Sequence, residues 1–137
     1  MKRTSCLFGL GVAVTVVLVA GSTLAQEKPD LSEVVGNWKV EVYAGNSTYY
    51  LNLVVTEASG QLAGKVSESM GLFTDVSISE ISYDSVAFRF DFVAPTPPDG
   101  TSRTVRADFK VAEDAMGGTL TVPDLDVIAE AKAIRQS

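Results

Sequence analysis

The sequence predicts an all-β protein, a single up-and-down antiparallel β-barrel of about eight strands that follows a cleaved signal peptide. From Gly36 to Arg135, short segments alternate between apolar and polar residues with a period of two, as half-buried strands require. Residues that favour turns separate these segments. The segments also fall into two similar halves, as expected for a barrel built from two four-stranded units.

Residues 1–25 have the features of an export signal. A basic start precedes an apolar stretch over residues 7–20, which is too short for a comfortable membrane span. Thr23-Leu24-Ala25 supplies a small-x-small cleavage pattern, so we predict that the mature chain begins near Gln26. An uncleaved N-terminal anchor is the alternative. The predicted location is periplasmic or extracellular, reached through a bacterial-type signal peptide, with no membrane span in the mature chain.

Residues 26–35 are predicted to be a polar leader, and residues 36–137 the barrel domain. Its first three strands form a meander over 36–43, 47–57 and 61–67, with turns where glycine, asparagine and serine cluster. Their inward faces are Trp38, Val40 and Val42, then Tyr49, Leu51, Leu53 and Val55, and then Leu62, Gly64 and Val66.

The middle of the chain predicts one kinked strand over 73–83 and a clear strand over 86–93. In the second of these, Val86 and three phenylalanines share one face, and burial of the rings contributes several kcal/mol at about 25 cal/mol per Å² of apolar surface. Residues 94–100 contain three prolines, which lack backbone donors, so this segment is predicted to be an ordered loop at the barrel rim.

Two more strands are predicted over 102–111 and 116–122, and the segment 126–135 is ambiguous between strand and helix. Alanines alternate with longer side chains there as in a strand, yet alanine, glutamate, lysine and arginine are good helix formers and Asp124 or Asp126 could cap a helix. We favour a closing strand because an unclosed seven-stranded sheet exposes two edges.

A short internal repeat accompanies these strands. Residues 62–67 recur as residues 116–121 at an offset of 54, and at the same offset Leu53 corresponds to Ala107. The repeat predicts an eight-stranded meander of two similar halves. Chance is the alternative, because the shared pattern of apolar-x-Gly-x-apolar is short.

Gly36-x-Trp38 on the first strand and Arg135 on the last resemble the calycin superfamily, which comprises lipocalins, fatty-acid-binding proteins and avidins. In lipocalins such a tryptophan closes one end of the barrel and a late arginine or lysine packs across it. The resemblance implies that Gly36, Trp38 and Arg135 are structural closure residues. It also implies a cation–π contact, which is worth about 0.5–2 kcal/mol.

The stretch 36–71 looks like the opening of an avidin-type barrel, but avidins need further tryptophans to enclose biotin and Trp38 is the only one in this chain. Biotin binding is therefore not predicted. The wider pattern also resembles small exported bacterial β-barrel domains of unassigned role.

Composition removes several classes of chemistry. The chain has no histidine, and its single cysteine, Cys6, lies in the predicted signal, so Ser-His-Asp and Cys-His catalysis and the usual zinc, copper and haem ligands are missing. We predict no cofactor and no metal, and interpret Asp124-x-Asp126 as a turn in preference to a calcium site. After residues 1–25 are removed, nine basic and 17 acidic residues leave a net charge of −8, which argues against nucleic acid as a partner.

The leading functional hypothesis is a non-catalytic, monomeric, exported barrel that binds a small apolar or amphipathic ligand inside. Inward-facing alanines are expected to leave space for it beside the phenylalanines, and they are Ala107, Ala129, Ala131 and Ala133. The ligand-binding candidates are Tyr49, Leu51, Phe88, Phe90, Phe92 and Ala131.

The first alternative is a protein-interaction module, such as a periplasmic peptidase inhibitor or an accessory subunit bound to an envelope protein, with 26–35 or 94–100 as the contact. A barrel isomerase or cyclase is a third possibility, and it requires Arg106 and Glu41 to point inward near Tyr49.

Overall fold

Antiparallel strands make up most of residues 28–137, the part of the chain that the computed structural model describes. The strands are β1 (Gly36–Ala44), β2 (Ser47–Ala58), β3 (Gln61–Glu68), β4 (Val76–Ser77), β5 (Ser79–Tyr83), β6 (Ala87–Thr96), β7 (Thr101–Ala112), β8 (Ala115–Val122) and β9 (Val127–Gln136). Two short 3-10 helices span Leu31–Glu33 and Pro123–Leu125. The predicted all-β class is confirmed, while the predicted signal, residues 1–25, lies outside the described residues. Within the described part of the chain, no helix is both long enough and apolar enough to span a membrane.

One sheet contains all nine strands in the order β4-β3-β2-β1-β9-β8-β7-β6-β5. Every pair except β1–β9 joins strands that follow one another in the chain. Strand β9 pairs with β1 from Asn37 opposite Gln136 to Tyr43 opposite Glu130. The C-terminal segment is therefore the predicted closing strand and not a helix.

Strands β4 and β5 bring the two edges of this sheet together. Only Ile78 separates them, and β4 pairs with β3 whereas β5 pairs with β6. The Ile78 N–H donates to the carbonyl of Gly64 at 3.1 Å. After Ile78 the chain leaves β3 and pairs with β6, and Glu80 in this stretch has a φ of +50°. Residues 76–83 therefore form the predicted kinked strand, and eight strands counted in this way make a nearly closed barrel.

The predicted repeat is visible in two hairpins. Strands β2 and β7 start at Ser47 and Thr101, and β3 and β8 start at Gln61 and Ala115, each pair 54 residues apart and equal in length. The pairing register also repeats, because Gly64 lies opposite Val55 and Gly118 lies opposite Phe109. At both glycines an added Cβ would collide with a carbonyl of the neighbouring strand. The two hairpins therefore share bounds, register and a point of close backbone approach.

The barrel interior is packed with aromatic rings. Neighbouring ring centroids lie 5.3 Å apart for Phe88 and Phe90, 6.2 Å for Phe90 and Phe92, and 6.3 Å for Phe90 and Phe109. These are distances at which aromatic pairs attract each other. Val86 does not share this face as predicted, because it is 58% exposed. It lies in a turn that the Asp84 carboxylate holds by accepting from the amide of Val86 at 3.0 Å.

The proline-rich segment differs from the prediction. Strand β6 continues to Thr96, with Pro95 opposite Ser102 and Thr96 opposite Thr101, and only the residues from Pro97 to Gly100 form the turn. The last β5 partner along β6 is Asp91, so the strand has lost its second neighbour before Pro95. A residue without an N–H is tolerated at such a one-sided position.

The segment before β1 closes the end of the barrel at which Trp38 lies, which we call the closed end. Val34 is fully buried, and its carbonyl accepts a hydrogen bond from Nε1 of Trp38 at 2.9 Å. Tyr83 donates to Oε1 of Glu33 at 2.5 Å. Residues 31–35 therefore pack against this end of the barrel.

Arg135 holds this covering segment in place. Its guanidinium lies 4.4 Å from the centre of the Trp38 ring, donates to the carbonyls of Val35 and, at 2.7 Å, Glu33, and pairs with Asp114 at 2.9 Å. Gly36 makes room for it: its φ is +138°, and an added Cβ would lie 2.8 Å from Nη1 of Arg135. The three predicted closure residues thus meet at one place.

Tyr83 gives the closed end a dependence on alkaline pH. Burial, and then the hydrogen bond to Glu33, raise the pKa of Tyr83 from 10.0 to about 12. The neutral phenol is therefore favoured in the fold, so its contribution to stability is complete below pH 10 and is lost as the pH rises through about 12. In urea titrations across this window, we expect the unfolding free energy of Tyr83→Phe to fall less steeply than that of the parent. Tyr50→Phe, at an exposed position, should keep the parent slope, and equal slopes for all three proteins would contradict the assignment.

Candidate functional site

A cavity of about 390 Å³ opens at the end of the barrel opposite Trp38, and we call it the open-end cavity. Its wall consists of inward-facing side chains near the strand ends that lie furthest from Trp38. These side chains continue the faces that fill the core, but no segment covers them. The buried apolar wall residues are Val42, Leu51, Phe92, Val105, Leu120 and Ala129. The cavity is therefore built from the same period-two faces as the core.

Apolar side chains also surround the mouth of this cavity. Met70, in the turn after β3, is 86% exposed, and Ile128, at the start of β9, is 68% exposed. Leu72, Pro97 and Pro98 also lie on the rim. These three residues and Ile128 line the cavity, whereas Met70 does not. An exposed cluster of large apolar residues around a concavity is typical of a binding site.

The predicted ligand-binding residues divide into two groups. Tyr49, Leu51 and Phe92 line the open-end cavity. Phe88, Phe90 and Ala131 are buried in the core and do not line it. The prediction assumed that inward alanines leave space beside the phenylalanines. Instead the rings occupy that space, as Ala107, which lies opposite Phe90, is itself fully buried.

Glu68 is a cavity residue that the sequence analysis missed. It is only 5% exposed and lines the cavity from the end of β3. Its Oε1 accepts from the amides of Met70 at 2.7 Å and Leu72 at 3.1 Å, which fixes the turn at the rim. The predicted strand stopped at Ser67, although the spacing of Leu62, Gly64 and Val66 continues to position 68. This regular spacing was the feature of the sequence that could have predicted an inward-facing Glu68.

An ion pair also fixes the proline turn, which is a second segment of the rim. Arg103 donates to Oδ1 of Asp99 at 2.9 Å and to the buried hydroxyl of Thr96 at 2.9 Å. The hydrogen bond from Arg103 is the main reason that the pKa of Asp99 lies well below its usual range. Thr96 lines the cavity, whereas Arg103 stays outside it. The pair therefore orders the rim without bringing a positive charge inside.

The residues that a barrel isomerase would need are not together. Arg106 pairs with Asp91 at 3.1 Å on the outer face of the sheet, and Glu41 accepts from the Tyr43 hydroxyl at 2.6 Å on the outer face of β1. Tyr49 lies in the cavity wall. Among residues 28–137 there is also no group of three or more acidic, cysteine or histidine side chains that could hold a metal ion.

Comparisons with protein-family models, with curated proteins and with solved structures give no match for this chain.

Proposed function

We propose that this protein is a non-catalytic, exported, calycin-like barrel that binds a small apolar or amphipathic ligand in the open-end cavity. The observation that carries the proposal is the asymmetry of the interior. One end is closed by Val34, Trp38 and Arg135, and the middle is filled by phenylalanines, but the other end keeps an apolar cavity with an apolar rim.

The size and lining of the cavity support a small ligand. Ligand sites are mostly apolar concavities of about 300–1,000 Å³ with a few polar groups, and this cavity is at the lower end of that range. Each methylene group that a ligand buries contributes about 0.8 kcal/mol. Micromolar affinity corresponds to about 8 kcal/mol, so it requires at least about ten buried methylene groups or an aromatic body of similar area.

The test is a titration with N-phenyl-1-naphthylamine, a lipophilic dye that is neutral at neutral pH and fluoresces in apolar surroundings. We expect saturable enhancement with the parent protein. Val105→Trp, which fills the cavity from its buried wall, should weaken dye affinity at least about tenfold, since it displaces apolar contact worth more than about 1.4 kcal/mol.

Val93→Trp is the matched control, because Val93 lies on the outer face of β6 and is 56% exposed. It should bind dye like the parent. Tyr49→Ala provides a second cavity variant if Val105→Trp does not fold. Absence of enhancement with the parent, or equal affinities for the Val105 and Val93 variants, would contradict the proposal.

A protein-interaction module is the second candidate, and the exposed rim favours it. Met70 and Ile128 protrude beside the cavity, so a partner could cover the rim and insert one apolar side chain. Residues 31–35 no longer suit such a contact, because Val34 and Glu33 hold the closed end. In a pull-down from envelope extract, Met70→Ser should lose a partner that this candidate requires, while retaining dye binding, because Met70 does not line the cavity.

A further inference from the structure

Among residues 28–137, only one oxygen of the Glu68 carboxylate accepts hydrogen bonds. Its side chain is nine-tenths or more buried, and Oε1 accepts both amides of the rim turn. Within residues 28–137, Oε2 has no hydrogen-bond donor and the carboxylate has no ion-pair partner. A buried carboxylate oxygen without a donor is costly, so such a group requires a partner from elsewhere.

In the part of the chain that the structure describes, Glu68 is also the only charged side chain that lines the open-end cavity. Arg103, a cation on the rim, pairs with Asp99 and does not line the cavity. Since nothing in the lining compensates the charge, a cation or a strong donor is favoured in the cavity and an anion is repelled. The acidic balance of the whole chain, 17 acidic against 11 basic residues, acts in the same direction.

The second hairpin of the internal repeat carries no carboxylate at the position equivalent to Glu68. The position equivalent to Glu68, 54 residues further on, is Val122 at the end of β8, and Val122 lines the same cavity. A valine therefore ends the second hairpin where a glutamate ends the first. Fixing the rim turn uses only one carboxylate oxygen, and a glutamine carbonyl could do the same.

We propose that Glu68 binds the head group of the ligand, and that the ligand is a cationic amphiphile with an ammonium head and a short apolar body. The ammonium donates to Oε2 of Glu68 while the body lies against Leu51, Phe92 and Val105. This inference rests on the proposed function and specifies its ligand class. An ammonium is favoured over a hydroxyl because it adds the Coulomb attraction of an opposite charge to the hydrogen bond, and this attraction is stronger in an apolar cavity than in water.

The test compares dodecylamine, dodecanol and dodecanoate at neutral pH as competitors of bound N-phenyl-1-naphthylamine, with the alcohol below its solubility limit and the other two below their micelle concentrations. We expect the amine to displace the dye at a concentration at least about tenfold lower than the acid, with the alcohol between them. In Glu68→Gln, the side-chain carbonyl still accepts from the rim amides but the second oxygen becomes a donor. The ratio of amine to acid affinity should therefore fall at least tenfold and can reverse.

Glu57→Gln removes one negative charge at an exposed position of β2 and should keep the parent ratio. Equal or better binding of dodecanoate to the parent would overturn the inference, as would an amine preference that survives in Glu68→Gln. If that variant does not fold, the parent ratio alone decides. If the parent binds no dye, the proposed function fails separately, and calorimetric titration with the amine and the acid still decides the role of Glu68.

Discussion

Replacing Trp38 by alanine should lower the free energy of unfolding by about 3–5 kcal/mol, the range for truncating a large buried aromatic side chain. The Trp38 ring is almost fully buried, its Nε1 donates to Val34, and its face carries the Arg135 guanidinium. Loss of the ring leaves a cavity and also removes the contacts to Val34 and Arg135 that close this end of the barrel. For a domain whose stability lies in the usual range of about 5–15 kcal/mol, this is a large fraction of the total. Urea unfolding followed by far-ultraviolet circular dichroism measures it.

Two controls separate the parts of this effect. Trp38→Phe keeps most of the apolar volume but loses the donor to Val34, so it should cost less, with about 1–3 kcal/mol from the unsatisfied buried carbonyl. Tyr50→Ala removes an exposed ring from the adjacent strand and should change stability by less than about 1 kcal/mol. A Trp38→Ala protein that loses no more than the Tyr50 variant would show that the closed end does not depend on Trp38.

The second large effect is expected at Gly118, where alanine should cost about 3 kcal/mol, at the upper end for overpacking. An added Cβ would lie 2.9 Å from Cα of Phe109 and nearer still to the carbonyl oxygen of Asp108. Both obstacles are backbone atoms of β7, so no side-chain rotation relieves the contact. Strands β7 and β8 must move apart, which disturbs the core around the buried Phe109.

The adjacent Gly117 provides the matched control, because the nearest atom to its added Cβ is the carbonyl oxygen of Ala131 at 3.9 Å. Its φ is not in the positive region. Gly117→Ala should therefore stabilise the protein by about 0.4–1 kcal/mol, through the reduced entropy of the unfolded chain. The two substitutions should shift the urea midpoint in opposite directions. Equal shifts would mean that the close approach at Gly118 relaxes without cost.

Local patterns were sufficient to predict much of the fold. Period-two alternation and turn residues are properties of neighbouring positions, so they located most of the strands, including the kinked strand over 73–83. The repeat at an offset of 54 was informative because it contains Gly64 and Gly118. At both positions the neighbouring strand comes so close that a Cβ atom would collide with its backbone. Local propensity failed at Pro95, because the absence of a second neighbouring strand is a property of the whole sheet.

The candidate site was only partly predictable, for a different physical reason. Alternation shows which side chains point inward, but not whether the interior is filled, and the rings of Phe88, Phe90 and Phe109 fill it where alanines suggested space. Burial of Glu68 was hidden because a glutamate at a strand end is usually solvated. The role of residues 31–35 depends on Arg135, about 100 residues away.

This separation has a consequence for the order of folding. Strands β1 to β4 pair one after another, and so do β5 to β8, whereas β1 gains its second neighbour, and the closed end its clamp, only when β9 pairs with β1 and β8. Contacts between distant parts of a chain form late because the loop between them must be ordered first. A chain still being synthesised therefore consists of two separate four-stranded units, with β1 at the edge of one and β8 at the edge of the other, and the barrel closes only after the strand that carries Arg135 has emerged.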